Sequence, residues 1–560
     1  MSPETWRTKG LYEGPRHAGT RALMKSGGLC DGDFDKPLIG VHNTYSEGGP
    51  GHIHLNVLTQ EVRAGIYQAG GVPVEFGGPG HCPSLAPLEH DVPQRDIIAM
   101  SVENFVGLHV LDAVVCVGSC DKPNPAHWLA ASRLRDIPVI MAEGGPAMAG
   151  WYGGKRLDSS GVLRAGLTYA LDPAASKVSA EQVVEMENCA STGPGACALC
   201  GTANTTALLS EVLGLTLPQG GSIPAVSAAR RWLSRQTGRR VVEMVREGLT
   251  PSSILTRESL ENAIIALHAL GGSSNAVYHI LALSEDLGLG DTINIDLIEY
   301  WGKRIPCVAN VMPSGMYSMP ELDAAGGVRG VLKRVEEFIH KDAMTVSGRT
   351  WGELLKGVEI GDSDVIRTLD NPVFERGLAI LKGNLATSAV VRYSVFPKSV
   401  RQFSGPAKAF SSQAEARSAL KKGQIHRGDA IVVPYEGPRG GPGMPDLFHL
   451  MYELNGAGLS DYCPVITDGK FSGFAMGAFV CQVTPEGAVG GPIALVRTGD
   501  IIDVDVDRNI LNVRVSDEEM AKRKSQWSRP KSKVERGYLT LWANYANPAS
   551  KGGGLPYLPL

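Results

Sequence analysis

Ala113-Val114-Val115-Cys116-Val117-Gly118-Ser119-Cys120-Asp121-Lys122 decides the fold. An apolar run makes a strand buried on both faces, Gly118 opens a turn, and a thiol, a carboxylate and an amine follow directly. Upstream, Pro37-Leu38-Ile39-Gly40-Val41 reads as another strand, and Leu55 to Ala69 has helical spacing. Downstream, Trp128 to Leu134 reads as helix and Ile137-Pro138-Val139-Ile140-Met141 as the next strand. Strand, loop, helix, strand predicts an α/β region with a parallel sheet. Ligands bind such sheets beyond the carboxyl ends of the strands, which places Gly118 to Lys122 where a site belongs. From about residue 375 the texture changes to short β-rich pieces between glycine turns, such as Ala430-Ile431-Val432-Val433 and Ile501 to Val506. Asp507-Arg508-Asn509 reads as a hairpin-like turn. The expectation is an α/β domain over 1–372 and a mainly β domain with a few helices over 373–560.

With 560 residues, 43% hydrophobic and 20% charged, the chain has globular composition and is too long for one core. A net charge of −4 gives no basic footprint for nucleic acid and no polybasic face for a membrane. No apolar run of membrane-spanning length and no apolar signal core is found, so a cytoplasmic chain is expected. Glycine is in excess at 68 residues, scattered in clusters that suit tight turns and close backbone approach. Ten cysteines without a secretory signal point to thiols or metal ligands before disulfides.

Three cysteine regions stand out. Cys120-Asp121-Lys122 sets a soft ligand beside a hard one. Gly193 to Gly201 carries Cys197 and Cys200 ahead of the helical run Thr206 to Leu213, a position expected to lower thiol pKa values. Cys30 and Cys82 each lie in a glycine-rich loop. A Cys-x-x-Cys pair can be a redox dithiol, a zinc ligand pair, part of an iron–sulfur site or simply two buried thiols. In the last third, Glu436 sits in the glycine-rich loop Tyr435 to Met444, and Ile466 to Gly473 carries Ser472 between Phe471 and Gly473. That is not Gly-x-Ser-x-Gly, so a hydrolase elbow is unsupported. Gly40-Val41-His42 likewise lacks the glycine fingerprint of a nicotinamide dehydrogenase.

Taken in order, these segments resemble the dihydroxy-acid/sugar-acid dehydratase family from roughly 20 to 530. Gly195-Ala196-Cys197, Thr202-Ala203-Asn204-Thr205, Gly271-Gly272-Ser273-Ser274-Asn275, Leu381 to Ala386 and Val483-Thr484-Pro485-Glu486 complete the match. The resemblance implies a barrel-like second domain closing over the site, and a homodimer or dimer of dimers. It implies loss of water from a 2,3-dihydroxy carboxylate to give a 2-keto acid, with a branched-chain acid as the leading substrate and a sugar acid as the alternative. An iron–sulfur cluster, 2Fe-2S in preference to 4Fe-4S, would polarise the departing hydroxyl, and Mg2+ would hold the substrate. Cys120 and Cys197 match cluster ligands, Asp121 and Glu436 match magnesium ligands, and Lys122 matches a lysine that is carbamylated in family members. Ser472 matches the residue thought to remove the C2 proton.

Three positions depart from the family. Gly51 stands where many members carry another cluster cysteine, and the replacement candidates are Cys200, Cys82, His81 and His52, with Cys200 favoured. The stretch Gly77 to Ser84 lacks the family's acidic magnesium ligand, with no carboxylate until Glu89 and Asp91. Gln482 lies near the place of a family histidine. A cluster-less relative with altered metal chemistry, and a non-catalytic binding protein, are the competing readings.

Overall fold

The run Ala113–Gly118 is an inner strand of a parallel sheet. Four strands, β1 (Leu38–Asn43), β2 (Val72–Gly77), β3 (Ala113–Gly118) and β4 (Val139–Glu143), pair in the order β2-β1-β3-β4, all in parallel. Every residue of β1 and β3 is buried, which is why neither shows alternation in the sequence. The structure, a computed structural model, describes residues 6–82, 91–174, 176–471 and 473–557. Among the described residues no helix is long and apolar enough to cross a membrane.

The helices fall where expected, with shifted ends. The one expected from Trp128 spans Pro123–Arg133, since prolines are tolerated in a first helical turn. The one expected from Thr206 spans Thr202–Val212. A short hairpin, β5 (Gly150–Tyr152) with β6 (Lys155–Leu157), follows the first sheet.

The second sheet is an eight-stranded barrel built from β7 (Ala379–Leu381), β8 (Ser388–Val391), β9 (Gln402–Ala409), β10 (Ala430–Val433), β11 (Val465–Thr467), β12 (Phe479–Thr484), β13 (Ile501–Asp505) and β14 (Ile510–Val513). Its order is β14-β13-β9-β10-β11-β12-β8-β7, parallel from β9 to β12 and antiparallel elsewhere. Lys382, just past β7, bridges to Ile510 and brings the two edges together. Alternation along the strands divides two cores. Ala430, Val432, Ile466 and Val480 point into the barrel. Ile431, Val433, Val465, Phe479 and Cys481 instead join the core of the α/β region. These strands are therefore buried on both faces, and their carboxyl ends meet the loops that follow the first sheet.

Candidate functional site

Three loops at the carboxyl edge of the first sheet are stitched together by backbone hydrogen bonds. Gly195 N donates to Pro50 O at 2.9 Å, Ala196 N to Gly145 O at 2.9 Å, and Ala147 N to Ala196 O at 2.6 Å. Cys120, after β3, has a φ of +63°, a conformation that costs a residue with a Cβ of order 1–3 kcal/mol. Its sulfur turns toward Gly51, where a Cβ would lie 2.2 Å from Sγ. The glycine that removes a ligand thus makes room for the Cys120 thiol. That is the physical account of the first sequence departure.

The thiol of Cys120 is hydrogen-bonded to that of Cys82, and Cys197 has Cys82 among its nearest charge partners. Contact with Cys82 and burial push the Cys120 thiol well up, and burial does the same to Cys197. The lowered thiol values expected from the following helix are corrected here: burial outweighs any gain from the helix N-terminus. Cys200 is not brought to this group. Its Sγ lies 3.6 Å from Thr205 Oγ1, and its charge partner is Arg392. His52 is engaged by its own loop, with Nδ1 2.8 Å from Thr44 O.

Beside the thiols lies a buried charge cluster that joins the two halves. Lys122 Nζ is 3.0 Å from Asp91 Oδ1 and 4.0 Å from Asp121 Oδ2. Lys470, on the loop after β11, places Nζ 2.5 Å from Asp91 Oδ2 and 3.0 Å from Asp446 Oδ2. Burial opposes the charge of Asp91, yet the two ammonium groups outweigh it and hold its pKa at about 2. Burial pushes Asp446 up to about 6, against the pull of Lys470. Asp91 thus stands directly beside the Lys122 side chain.

The loop after β10 is organised by Asp468. Its carboxylate accepts from Tyr435 N at 3.0 Å, Glu436 N at 2.8 Å and Gly487 N at 2.7 Å. Burial nevertheless raises it to about 6. Glu436 Oε1 accepts from Gln413 N at 3.1 Å and Oε2 from Lys533 Nζ at 2.7 Å. Glu436 also packs against Gly469, next to Lys470, where a Cβ would lie 2.9 Å from Glu436 Cβ. Tyr435 and Met444 in the Glu436 loop and Gln482 in β12 share positive φ with Cys120, four of the seven such non-glycine residues among those described. Gln482, the third departure, donates Nε2 to Ser274 O at 2.9 Å and its backbone N–H to Gly469 O at 2.8 Å.

Ser472 lies outside the described residues. Its neighbour Gly473 abuts the helix that follows the cysteine loop, since a Cβ on it would lie 2.3 Å from Thr202 N. Arg392, a buried residue, donates to Gly271 O at 2.6 Å, Gly473 O at 2.7 Å and Cys200 O at 3.2 Å, so one guanidinium holds three loops. Thr202 Oγ1, 2.9 Å from Ser273 Oγ, accepts from Asn275 Nδ2 at 3.2 Å. The Thr202 and Ser273 runs therefore pack on each other.

Sequence reasoning passed over Asp446, Arg392 and Asp468, and saw Asp91 only as a distant carboxylate. Asp468 and Lys470 stood inside a quoted loop, where their burial carried no signal; Arg392 stood in no motif.

The family model described as Dihydroxy-acid/6-phosphogluconate dehydratase N-terminal matches residues 36–354, and its C-terminal counterpart matches 364–553. The chain belongs to this family. It is a family of hydro-lyases. Similar curated proteins include three named dihydroxy-acid dehydratase. That of Ignicoccus hospitalis is 42% identical over 97% of this chain and 98% of its own. That of Caldanaerobacter subterraneus is 40% identical over 98% of both. That of Methanothermobacter thermautotrophicus is 40% identical over 97% of this chain and 99% of its own.

Among the described residues no three His, Cys, Asp or Glu side chains converge on a point suited to a single ion. A cluster spreads its thiolates apart, and Mg2+ takes one or two carboxylates with waters and substrate. The donor types present fit both groups: thiols from separate loops for the one, the carboxylates of Asp121 and Glu436 for the other. Tyr278 Oη and Asp446 Oδ1, both buried, have no hydrogen-bond partner among the described residues, which leaves polar capacity to spare at the site.

Proposed function

We propose that this protein is a cytoplasmic dihydroxy-acid dehydratase that removes water from a short branched-chain 2,3-dihydroxy carboxylate to give the 2-keto acid. The reading is carried by coverage: the relatives so named match 97–98% of this chain, through both halves of the site. In this reading residues 1–372 hold the cluster, residues 373–560 carry the Glu436 and Ser472 loops, and the chain works as a homodimer or dimer of dimers.

Cys120 and Cys197 would hold the iron–sulfur cluster, 2Fe-2S in preference to 4Fe-4S, and Asp121 and Glu436 would hold Mg2+. When bound, these groups supply Lewis acidity to the departing hydroxyl and a counter-charge for the substrate carboxylate. Lys122 and Lys470 bring fixed positive charge that favours an anionic substrate and its enolate-like transition state. Asp91 keeps both lysines protonated and in place. Ser472 takes the C2 proton, as the family resemblance implies; such a serine works as a base only where neighbouring cations stabilise its alkoxide. Arg392 fixes the Gly473 carbonyl against Cys200 and Gly271, excluding water along that seam.

The test is turnover of 2,3-dihydroxyisovalerate against pentonates, on protein purified without oxygen. Preference for the branched-chain acid supports the reading. Preference for a pentonate moves the substrate to the sugar acids, the class that Asn43-Thr44-Tyr45-Ser46 resembles.

A further inference from the structure

We propose that Cys82 is the third thiolate ligand of the iron–sulfur cluster, standing in for the side chain that Gly51 lacks; the proposal rests on the dehydratase reading above. Cys82 is presented by the loop after β2, which joins the loops after β1 and β3 at the same edge of the sheet. It packs on the segment that lacks the family cysteine, since a Cβ on Gly49 would lie 3.3 Å from both Cys82 Cβ and its backbone nitrogen. Its thiol is hydrogen-bonded to that of Cys120. Cys82 is also one of the groups whose charge acts on Cys197, so it stands within electrostatic reach of both residues assigned to the cluster.

The approach of this loop is fixed by sterics. A Cβ on Gly80 would lie 2.0 Å from Thr44 O, and one on Gly78 would lie 2.2 Å from His42 Nε2. Two glycines thus let the chain pass close enough for the next thiol to reach Cys120. The remaining cysteines are elsewhere. Cys116, Cys307, Cys463 and Cys481 are buried. Cys116 lies within β3 and Cys481 within β12, while Cys307 and Cys463 donate to Ala309 O and His426 O. Cys30 donates to Asp33 on an exposed turn, and Cys200 turns toward Thr205 and Arg392. Cys189 lies on the helix Ala180–Ala190, whose backbone packs on Gly150 of the short hairpin, and this leaves three thiols from three loops.

Chemically, each ligation exchanges an S–H bond for an S–Fe bond; the proton leaves to water and no redox change is needed. Both common cluster types have four terminal positions on iron. Three thiolates would hold such a cluster short of full protein ligation, so that it could supply the Lewis acidity that dehydration needs. Two thiolates would leave the cluster exposed at a second position.

The experiment compares wild type, Cys82→Ser, Cys120→Ser and Cys200→Ser as full-length proteins purified without oxygen, with iron, acid-labile sulfide and visible and EPR spectra for each. The expected result is loss of at least half the iron and sulfide in Cys82→Ser and Cys120→Ser, and retention in Cys200→Ser. Full iron and sulfide with unchanged spectra in Cys82→Ser overturn the proposal. Should that variant fail to fold, wild type is alkylated with iodoacetamide before and after chelation of iron. Cys82 modified only after chelation supports ligation; equal modification before chelation overturns it. A folded wild type without iron or turnover overturns the dehydratase reading itself, an outcome distinct from a loaded, active wild type whose Cys82 is dispensable.

Discussion

Lys470 of the barrel half places its Nζ 2.5 Å from Oδ2 of Asp91, which belongs to the α/β half, and both side chains are almost wholly enclosed. The other oxygen of the same carboxylate serves Lys122, so one Asp compensates two buried ammonium groups. A carboxylate so placed is both a hinge pin between the halves and the counter-charge of the site.

Asp91→Asn leaves two buried cations sharing a neutral amide. Removing one member of a buried ion pair costs roughly 3–5 kcal/mol. Urea unfolding should show a loss of this size, and Asp91→Asn combined with Lys470→Met should regain part of it. A stability within 1 kcal/mol of wild type, on the order of a surface substitution, would mean that the pair is not formed.

Gly51→Ala puts a methyl group where the Cys120 sulfur now lies. Overpacking of a closed site costs roughly 1–3 kcal/mol, and the displaced sulfur should lower iron content. Metal analysis beside a thermal melt checks both; unchanged iron would show that the sulfur has another place to go.

Asp468→Asn replaces a carboxylate that accepts three backbone N–H groups. The loop bearing Glu436 should lose its orientation, and the Mg2+ needed for half-maximal rate should rise roughly 10–100-fold. A titration of initial rate against Mg2+ at saturating substrate reads this directly.

Glu143 carries a pH signature. Burial raises its pKa to about 8, overriding Ser210, Arg230 and Asn124. The folded state then binds one more proton than the unfolded state between the ordinary carboxyl range and about pH 8, so this group subtracts stability as pH rises through that window. Glu143→Gln should match wild type near pH 4.5 and gain on it up to about pH 8 by a few kcal/mol, at about 1.36 kcal/mol per unit. Parallel stability curves for the two proteins would contradict the assignment.

The first sheet was legible because β3 is apolar throughout and β1 is apolar as far as His42, each followed by a turn. The barrel was legible only as β texture, since its closure depends on Lys382 meeting Ile510, a contact with no local pattern. Cys120 and Cys197 announced themselves by their neighbours. Cys200 drew attention through its spacing to Cys197, but its sulfur is taken up by Thr205 at the start of the next helix. Asp91 and Arg392 were opaque for a shared reason: a charge in a sequence reads as surface until a partner far along the chain is seen to neutralise it.

The Lys382–Ile510 bridge also sets an order of assembly. The barrel cannot close until the chain has been made as far as β14, so the loops of Glu436 and Lys470 take their final positions only when nearly all of the protein exists. The barrel half of the site is thus completed by the last strand of the chain to be made, whereas the segments that carry Cys120 and Asp91 come from its first third.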